Sequence, residues 1–563
     1  MTREEKRKEV IKNRISLAAI LVEFIVVIVL MVFVVKRLSA SNEAGPENSA
    51  DETVVKTASN DLTLPDGDES GDNPIKSADS TGLVNGEEDD ATWTPDVIGS
   101  LSGDTAADDG SLPSDDAADD SSDAASDAPI INGNITKGEF IDPVTENMVT
   151  VSDTDIKAGP SVVLALSGNE SQEVVATLST AAVKAAMYDY DAAIELVKGI
   201  DGYESIQAAT DAITELEKGR NSLVKWHDNT QISHLFVHSL IVDTSRAFGP
   251  RSSQPKGYNQ YMTTVSEFNK MIESMYAKGY VLVSMHDIAK VVTESDGTQH
   301  LVSQAIMLPE GKIPFVLSQD DVNYYMYMDN NGFADRVVLD ENGEPTCQYT
   351  EEDGTVKLGE YDMMPIIDRF VREHPDFSYH GHKGILALTG YEGALGYDTG
   401  LSMKIYDSLT EDEKMKLINI EREKVTAIAD KIKENGWEFA SHSYTHSNMT
   451  NATVDKMKYD TKRWHEEVEI ITGPTDIYIY PYGADICDWR GYKGEKYELL
   501  HGAGFWYFCN VDAAQYWIQI RDGYMRMGRI NADGERMNVT PERLRYFFDV
   551  EEVYDQSRPP FSK

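Results

Sequence analysis

Cysteine is scarce. The 563 residues hold three, Cys347, Cys487 and Cys509, and none stands in a Cys-x-x-Cys pair. That excludes a zinc knuckle and a disulfide framework, while a single bridge stays open. Basic residues are also short, with 51 Lys and Arg against 96 Asp and Glu and a formal net charge of −45. A chain that neutralises phosphates needs clusters of Lys and Arg, so nucleic acid is excluded as an expected partner. Residues 41–130 have few large apolar side chains, and two lysines, Lys56 and Lys76, stand against 24 acidic residues. Such a segment buries too little surface to offset its ordering entropy, and its like charges extend it. The stretch 36–130 therefore reads as a disordered acidic linker.

Before it lies an apolar run of 21 residues, Ile15–Val35, broken by Ser16 and Glu23. It is long enough to cross a bilayer as one helix. Arg3, Lys6, Arg7, Lys8, Lys12 and Arg14 precede it, which makes residues 1–14 a cytoplasmic tail and places the remainder outside the cytoplasm, on a single-pass protein of the cell membrane. Leu38-Ser39-Ala40 has the small-residue pattern of a cleavage site, but the apolar run is long for a cleaved signal.

Residues 131–228 read as a small mixed and helical stalk module. Ile206, Ile213, Leu216, Leu223 and Trp226 recur on one helical face, and Ala185–Val197 resembles one degenerate helix-turn-helix repeat. From 229 to 563 the texture changes to alternating strands and helices. Thr264 and Glu267 form a capping box. Val265, Phe268, Ile272 and Met275 supply the apolar face of that helix, Gly279 suits its end, and the strand Tyr280–Val283 follows. Thr410 and Glu413 open a second helix running to Gly436, before a strand at Trp437–Ala440. Met457, Trp464, Val468 and Ile471 line a third, closed by Gly473, before Ile477–Tyr480. This alternation implies a parallel sheet, open or closed. Residues 322–400, rich in Gly and Asp, are expected to hold loop or lid insertions.

Three apolar runs close on polar residues: Ile313-Pro-Phe-Val-Leu-Ser-Gln-Asp-Asp321, Trp437-Glu-Phe-Ala-Ser-His-Ser-Tyr-Thr-His446 and Asp476-Ile-Tyr-Ile-Tyr-Pro-Tyr-Gly483. The C-terminal ends of strands are where α/β folds place their chemistry. A carboxylate and two imidazoles with room for water make a hydrolytic metal site. Singly, an Asp-Asp pair is usually solvated and a His-x-x-x-His is usually a helix face or a turn. All three at strand ends, in this order, are far more specific.

These residues carry a resemblance. Ser318-Gln-Asp-Asp321 resembles the Thr-Phe-Asp-Asp motif of the polysaccharide deacetylases, the NodB-homology family. His442-Ser-Tyr-Thr-His446 is similar to that family's His-Ser-x-x-His motif, and Tyr480-Pro-Tyr-Gly483 resembles its third motif without the arginine. Leu235-Phe-Val-His238 resembles the early Tyr-His segment of the permuted form that deacetylates poly-N-acetylglucosamine. Over roughly residues 230–550, the resemblance implies an α/β fold, a distorted (β/α) barrel with fewer strands than the eight-stranded type. It implies Asp321, His442 and His446 as ligands of a divalent metal, Zn2+ first, with Co2+, Ni2+, Fe2+ and Mn2+ open. Asp320 would be the base. Pro481 and Tyr482 would face the substrate, with the Tyr482 N–H at the oxyanion. His238 would be the acid, with His501 structural and His234 pointing elsewhere. Arg529 and Asn531 are candidates to orient Asp320. Gln319 departs from the family's aromatic at that place.

The activity so implied is that of a membrane-anchored, extracytoplasmic, metal-dependent N-deacetylase. Its expected substrate is a cell-surface glycan containing N-acetylglucosamine, either exopolysaccharide or peptidoglycan. O-acetyl ester hydrolysis at the same site is one alternative. A catalytically silent glycan-binding protein is the other, and it would have no need of Asp320, Asp321, His442 and His446 together.

Overall fold

The computed structural model describes residues 170–561 apart from residue 513, together with residue 166 and four short strands before it. Ile130–Asn132 pairs with Val163–Ala165 and Gly138–Ile141 with Met148–Val151, both antiparallel. The helix expected at 15–35 and the linker expected over 36–130, Ile130 apart, lie outside the described residues. Among the described residues no helix is long and apolar enough to cross a membrane.

Nine strands form the central sheet: β1 Ser233–Val237, β2 Tyr280–Leu282, β3 Ile313–Gln319, β4 Gly384–Leu388, β5 Trp437–Ser441, β6 Ile477–Ile479, β7 Tyr507–Val511, β8 Ile518–Arg521 and β9 Tyr524–Asn531. They are bonded in the order β4-β5-β6-β7-β9-β1-β3, and β3 pairs back to β4. Seven parallel strands thus close into a barrel. β2 is wedged into its wall: Ile313–Phe315 of β3 pair with Tyr280–Leu282, while Ser318 and Gln319 pair with Ile385 and Leu386 of β4. β8 runs antiparallel on β9 outside the ring. Within 322–400, where loop or lid insertions are expected, β4 is a strand of the barrel itself. It is five residues, buried from Ile385 onward, and a strand buried on both faces shows no alternation to read. The three-stranded antiparallel sheet of Arg336–Leu339, Pro345–Thr350 and Val356–Gly359 is an excursion of the expected kind.

Helices coat the barrel. α1 Gln172–Ala186, α2 Tyr190–Lys198 and α3 Gln207–Ser222 share a small core around Leu178, Ile194, Val197 and Leu216. α3 stops short of the face traced through Leu223 and Trp226, because Val224–Lys225 leaves to pair with Met307–Leu308. The Tyr188 hydroxyl donates to the Asp376 carbonyl, fastening this module to the barrel. α4 Val265–Ala277 begins with both hydrogen bonds of the Thr264/Glu267 capping box. α5 Met363–Glu373 follows the small sheet. α6 Glu411–Glu434 opens on the Thr410/Glu413 box and ends two residues before Gly436. There φ is +91° and a Cβ would come within 2.0 Å of the Gly381 carbonyl oxygen. α7 Val454–Trp464 runs through one π-helical turn, His465–Glu469, to Thr472, and α8 is Glu495–Gly502.

The two faces of the wall differ. Leu235 and Val237 of β1 and Phe315 and Leu317 of β3 join the layer of Phe268, Ile366 and Ile428 under the helices. The alternate positions, His234, Phe236, Val316 and Ser318, face into the barrel.

Candidate active site

Strand alternation stacks a polar ladder inside the barrel. His234 Nε2 lies 2.8 Å from Ser318 Oγ. One step higher, Arg529 of β9, fully buried, lies 4.1 Å over the Phe236 ring and donates to both oxygens of Asp320, at 2.6 and 2.9 Å. It also reaches Ser318 Oγ at 3.2 Å. Burial alone would raise the Asp320 carboxyl pKa. The Arg529 charge and its paired hydrogen bonds outweigh that and hold it below the usual carboxylate range. Asp320 is therefore an ionised carboxylate in a fixed orientation.

Asp321 turns out of β3 at φ +61°. The Tyr325 hydroxyl donates to its Oδ1 at 2.6 Å and lies 2.8 Å from Thr389 Oγ1. His442, at the end of β5, donates its Nδ1–H to the Ile479 carbonyl at 2.9 Å, since a carbonyl can only accept. In the neutral ring that tautomer leaves the lone pair on Nε2. The His442–His446 segment is a tight turn, pinned from α7 by the buried Asp460. That carboxylate accepts from Ser443 Oγ and from the N–H groups of Tyr444 and Thr445. His446 Nε2 lies 3.7 Å from Asp321 Oδ2, and its Nδ1 lies 3.0 Å from the Tyr482 hydroxyl. Burial pushes His446 down to about 4, so it is a neutral imidazole at pH 7. Asp321, Ser443, His446 and Tyr482 all have positive φ. Backbone strain of this kind gathers at functional sites.

One ligand atom each from Asp321, His442 and His446 lies within 4.8 Å of the others. The set suits a divalent cation: one carboxylate, held below its usual range against burial by the neighbouring histidines, and two imidazoles, the first fixed by a carbonyl in the tautomer that presents Nε2.

The remaining candidates divide. His238 donates Nδ1–H to the Tyr261 carbonyl at 3.1 Å and is near enough to act electrostatically on Asp320 and Asp321. Pro481 is buried and Tyr482 is half exposed, on the turn after β6. Asn531 does not orient Asp320. It stands two residues beyond Arg529, at the strand's end, where its amide donates to Asp533 and accepts from Arg536. His234 does not point away from His238. The spacing of four puts both on the inner face, His234 deeper. His501 stacks on Tyr497 and meets Trp506 edge-on at the end of α8. Tyr325 and Asp460, which hold the metal-ligand candidates in place, carry no sequence signal: both are reached through loops and turns that have no period.

Residues 402–492 match the family model described as polysaccharide deacetylase. The match takes in both histidines and the Pro481–Gly483 turn and leaves out Asp320 and Asp321. No curated protein matches the chain. Among solved structures, the Streptococcus pyogenes deacetylase PplD in complex with acetate is similar at 13% identity, over 58% of this chain and 98% of that one, with a TM-score of 0.30.

Proposed function

We propose that the chain is a polysaccharide deacetylase, the family whose model residues 402–492 match, and that it removes N-acetyl groups from a cell-surface glycan containing N-acetylglucosamine, exopolysaccharide or peptidoglycan. One observation carries the reading: Asp321, His442 and His446 converge within 4.8 Å beside a buried carboxylate that Arg529 clamps.

Asp321, His442 and His446 would hold a divalent metal, which would supply Lewis acidity at the acyl carbonyl and lower the pKa of water toward neutral pH. Two imidazoles and a carboxylate suit zinc, and also cobalt, nickel, iron or manganese. Asp320 takes the proton of the attacking water. It is ionised and fixed, and each oxygen keeps a lone pair beside its bond to Arg529. The Tyr482 N–H, at the turn after Pro481, meets the developing oxyanion. His238 gives a proton to the departing amine. Its Nδ1–H is fixed on the Tyr261 carbonyl, so Nε2 is the nitrogen that exchanges a proton. The apolar run at 15–35 anchors the chain, and the acidic stretch after it gives the domain reach outside the cytoplasm.

Metal content and acetate release from an N-acetylated chito-oligosaccharide test this on the full-length chain. Bound metal with acetate release is expected, and both should vanish in His442→Ala. Acetate release from O-acetyl esters alone would make the protein an esterase. Absence of both metal and turnover would leave a glycan-binding protein.

A further inference from the structure

A carboxylate outside this site ties together the strand ends that carry the acid and the base. Asp362 caps α5 and is 1% exposed. Its Oδ1 accepts from the Leu240 N–H at 3.0 Å, from Gln319 Nε2 at 2.8 Å and from the Met363 N–H at 2.8 Å. Its Oδ2 accepts from the Tyr324 hydroxyl at 2.8 Å. Leu240 stands two residues past His238, Gln319 immediately precedes Asp320, and Tyr324 stands three residues past Asp321. One side chain from a helix on the outside of the barrel thus joins the end of β1 to the end of β3.

Gln319 makes this more than a helix cap. It is fully buried, and its Oε1 has no hydrogen-bond partner among the described residues. A buried acceptor left unpaired is unfavourable, and an aromatic or aliphatic side chain would carry no such penalty. The one thing the amide does that those cannot is donate to Asp362. The buried polar contact also fixes register where apolar packing would tolerate sliding.

We infer that Asp362 and Gln319 form a positioning pair that sets the distance between His238 and Asp320. The inference rests on the acid and base roles proposed above. Neither residue touches the reacting atoms, so removing the tie should misplace groups and leave metal binding intact.

The test compares the full-length wild type with Asp362→Ala, Asp362→Asn and Gln319→Leu, each assayed for folding, metal content, kcat and KM. The substrates are an N-acetylated chito-oligosaccharide and an aryl acetate ester. In Asp362→Ala, kcat on the N-acetyl substrate should fall roughly 10- to 100-fold with KM and metal content unchanged, the scale of an ångström-sized misplacement. The loss on the aryl ester should be smaller, because an activated phenol leaves without an acid. Asp362→Asn should recover most of kcat, since its Oδ1 still accepts the three N–H donors and its amide can donate to the Tyr324 hydroxyl. Gln319→Leu, which spares the helix cap, should lose about 10-fold and gives the answer if Asp362→Ala does not fold. Wild-type kcat in Gln319→Leu, or equal losses on both substrates that Asp362→Asn does not recover, would overturn the positioning role alone. A wild-type chain inactive on both substrates would remove the acid and base assignments, and this inference with them.

Discussion

Two clusters of histidine and carboxylate occupy opposite ends of one barrel, alike in residue type and different in hydrogen bonding. At the C-terminal ends of the strands, His442 and His446 stand beside Asp320 and Asp321. At the N-terminal ends of β5 and β6, His286 sits between Glu438 and Asp476, Nδ1 at 2.7 Å from one and Nε2 at 3.0 Å from the other. Burial alone would lower the His286 pKa. Its hydrogen bonds to Asp476 and Glu438 override that and raise it to about 10, so it is held as an imidazolium. His446 goes the other way, down to about 4, because burial outweighs the pull of Asp321, whose Oδ2 stands 3.7 Å from its Nε2. The lower cluster also lines a cleft, of about 510 Å³, with Lys433 and Glu469. What distinguishes the two ends is whether the lone pairs are already spent. In the lower cluster each imidazole nitrogen donates to a carboxylate. In the upper one, the Ile479 carbonyl orients His442 and leaves Nε2 for a ligand.

The largest effect that would break this contrast is at the upper end. His446→Ala should bring acetate release to background while circular dichroism shows the fold retained. Asp320→Asn should keep its metal and lose about 10²–10⁴-fold in turnover, the usual share of a general base. Loss of metal together with activity would exchange the roles of the two aspartates. His238→Ala should lose roughly 10²-fold on an N-acetyl sugar and keep most activity on an aryl acetate, where the acid is not needed. Equal loss on both would make His238 structural. Tyr325→Phe removes the hydrogen bond to Asp321 Oδ1 and should weaken metal binding about 10-fold, read by competition with a chromophoric chelator.

The smallest effect on turnover belongs to the lower end. His286→Gln should leave kcat within about twofold, as expected of a change far from the chemistry, and should act on stability. Its folded pKa lies above the ordinary 6.5, so its contribution is complete below about pH 6.5 and is lost as pH rises through about 10. The gap in melting temperature between wild type and His286→Gln should therefore narrow over that interval. A constant gap would show that His286 is not held charged.

The strand ends that build the upper cluster were readable because each is a short apolar run that closes on polar residues, and Arg529 could be proposed for the same reason. Asn531 could not be separated from it. The two share a strand face, and only the height at which β9 ends decides which of them meets Asp320. β4 is hard to read because Gly384–Leu388 is a short continuous apolar run with no period, and the glycines on either side, Gly381 and Gly390, suit a loop as well as the ends of a strand. Asp362, Tyr325 and Asp460 act across 43, 4 and 15 to 17 positions of chain that no spacing rule connects, reaching Gln319, Asp321 and Ser443 to Thr445. The capping boxes at Thr264 and Thr410 were readable for the opposite reason, since both partners lie within one helical turn.

Metal content per chain, measured on the full-length protein after identical cobalt loading of wild type, His286→Ala and His442→Ala, tests the contrast between the two ends most directly. About one ion per chain is expected in wild type and in His286→Ala, and none in His442→Ala, because binding needs imidazole nitrogens with a lone pair to give. An ion retained in His442→Ala and lost in His286→Ala would place the metal at the wrong end of the barrel and contradict the reading.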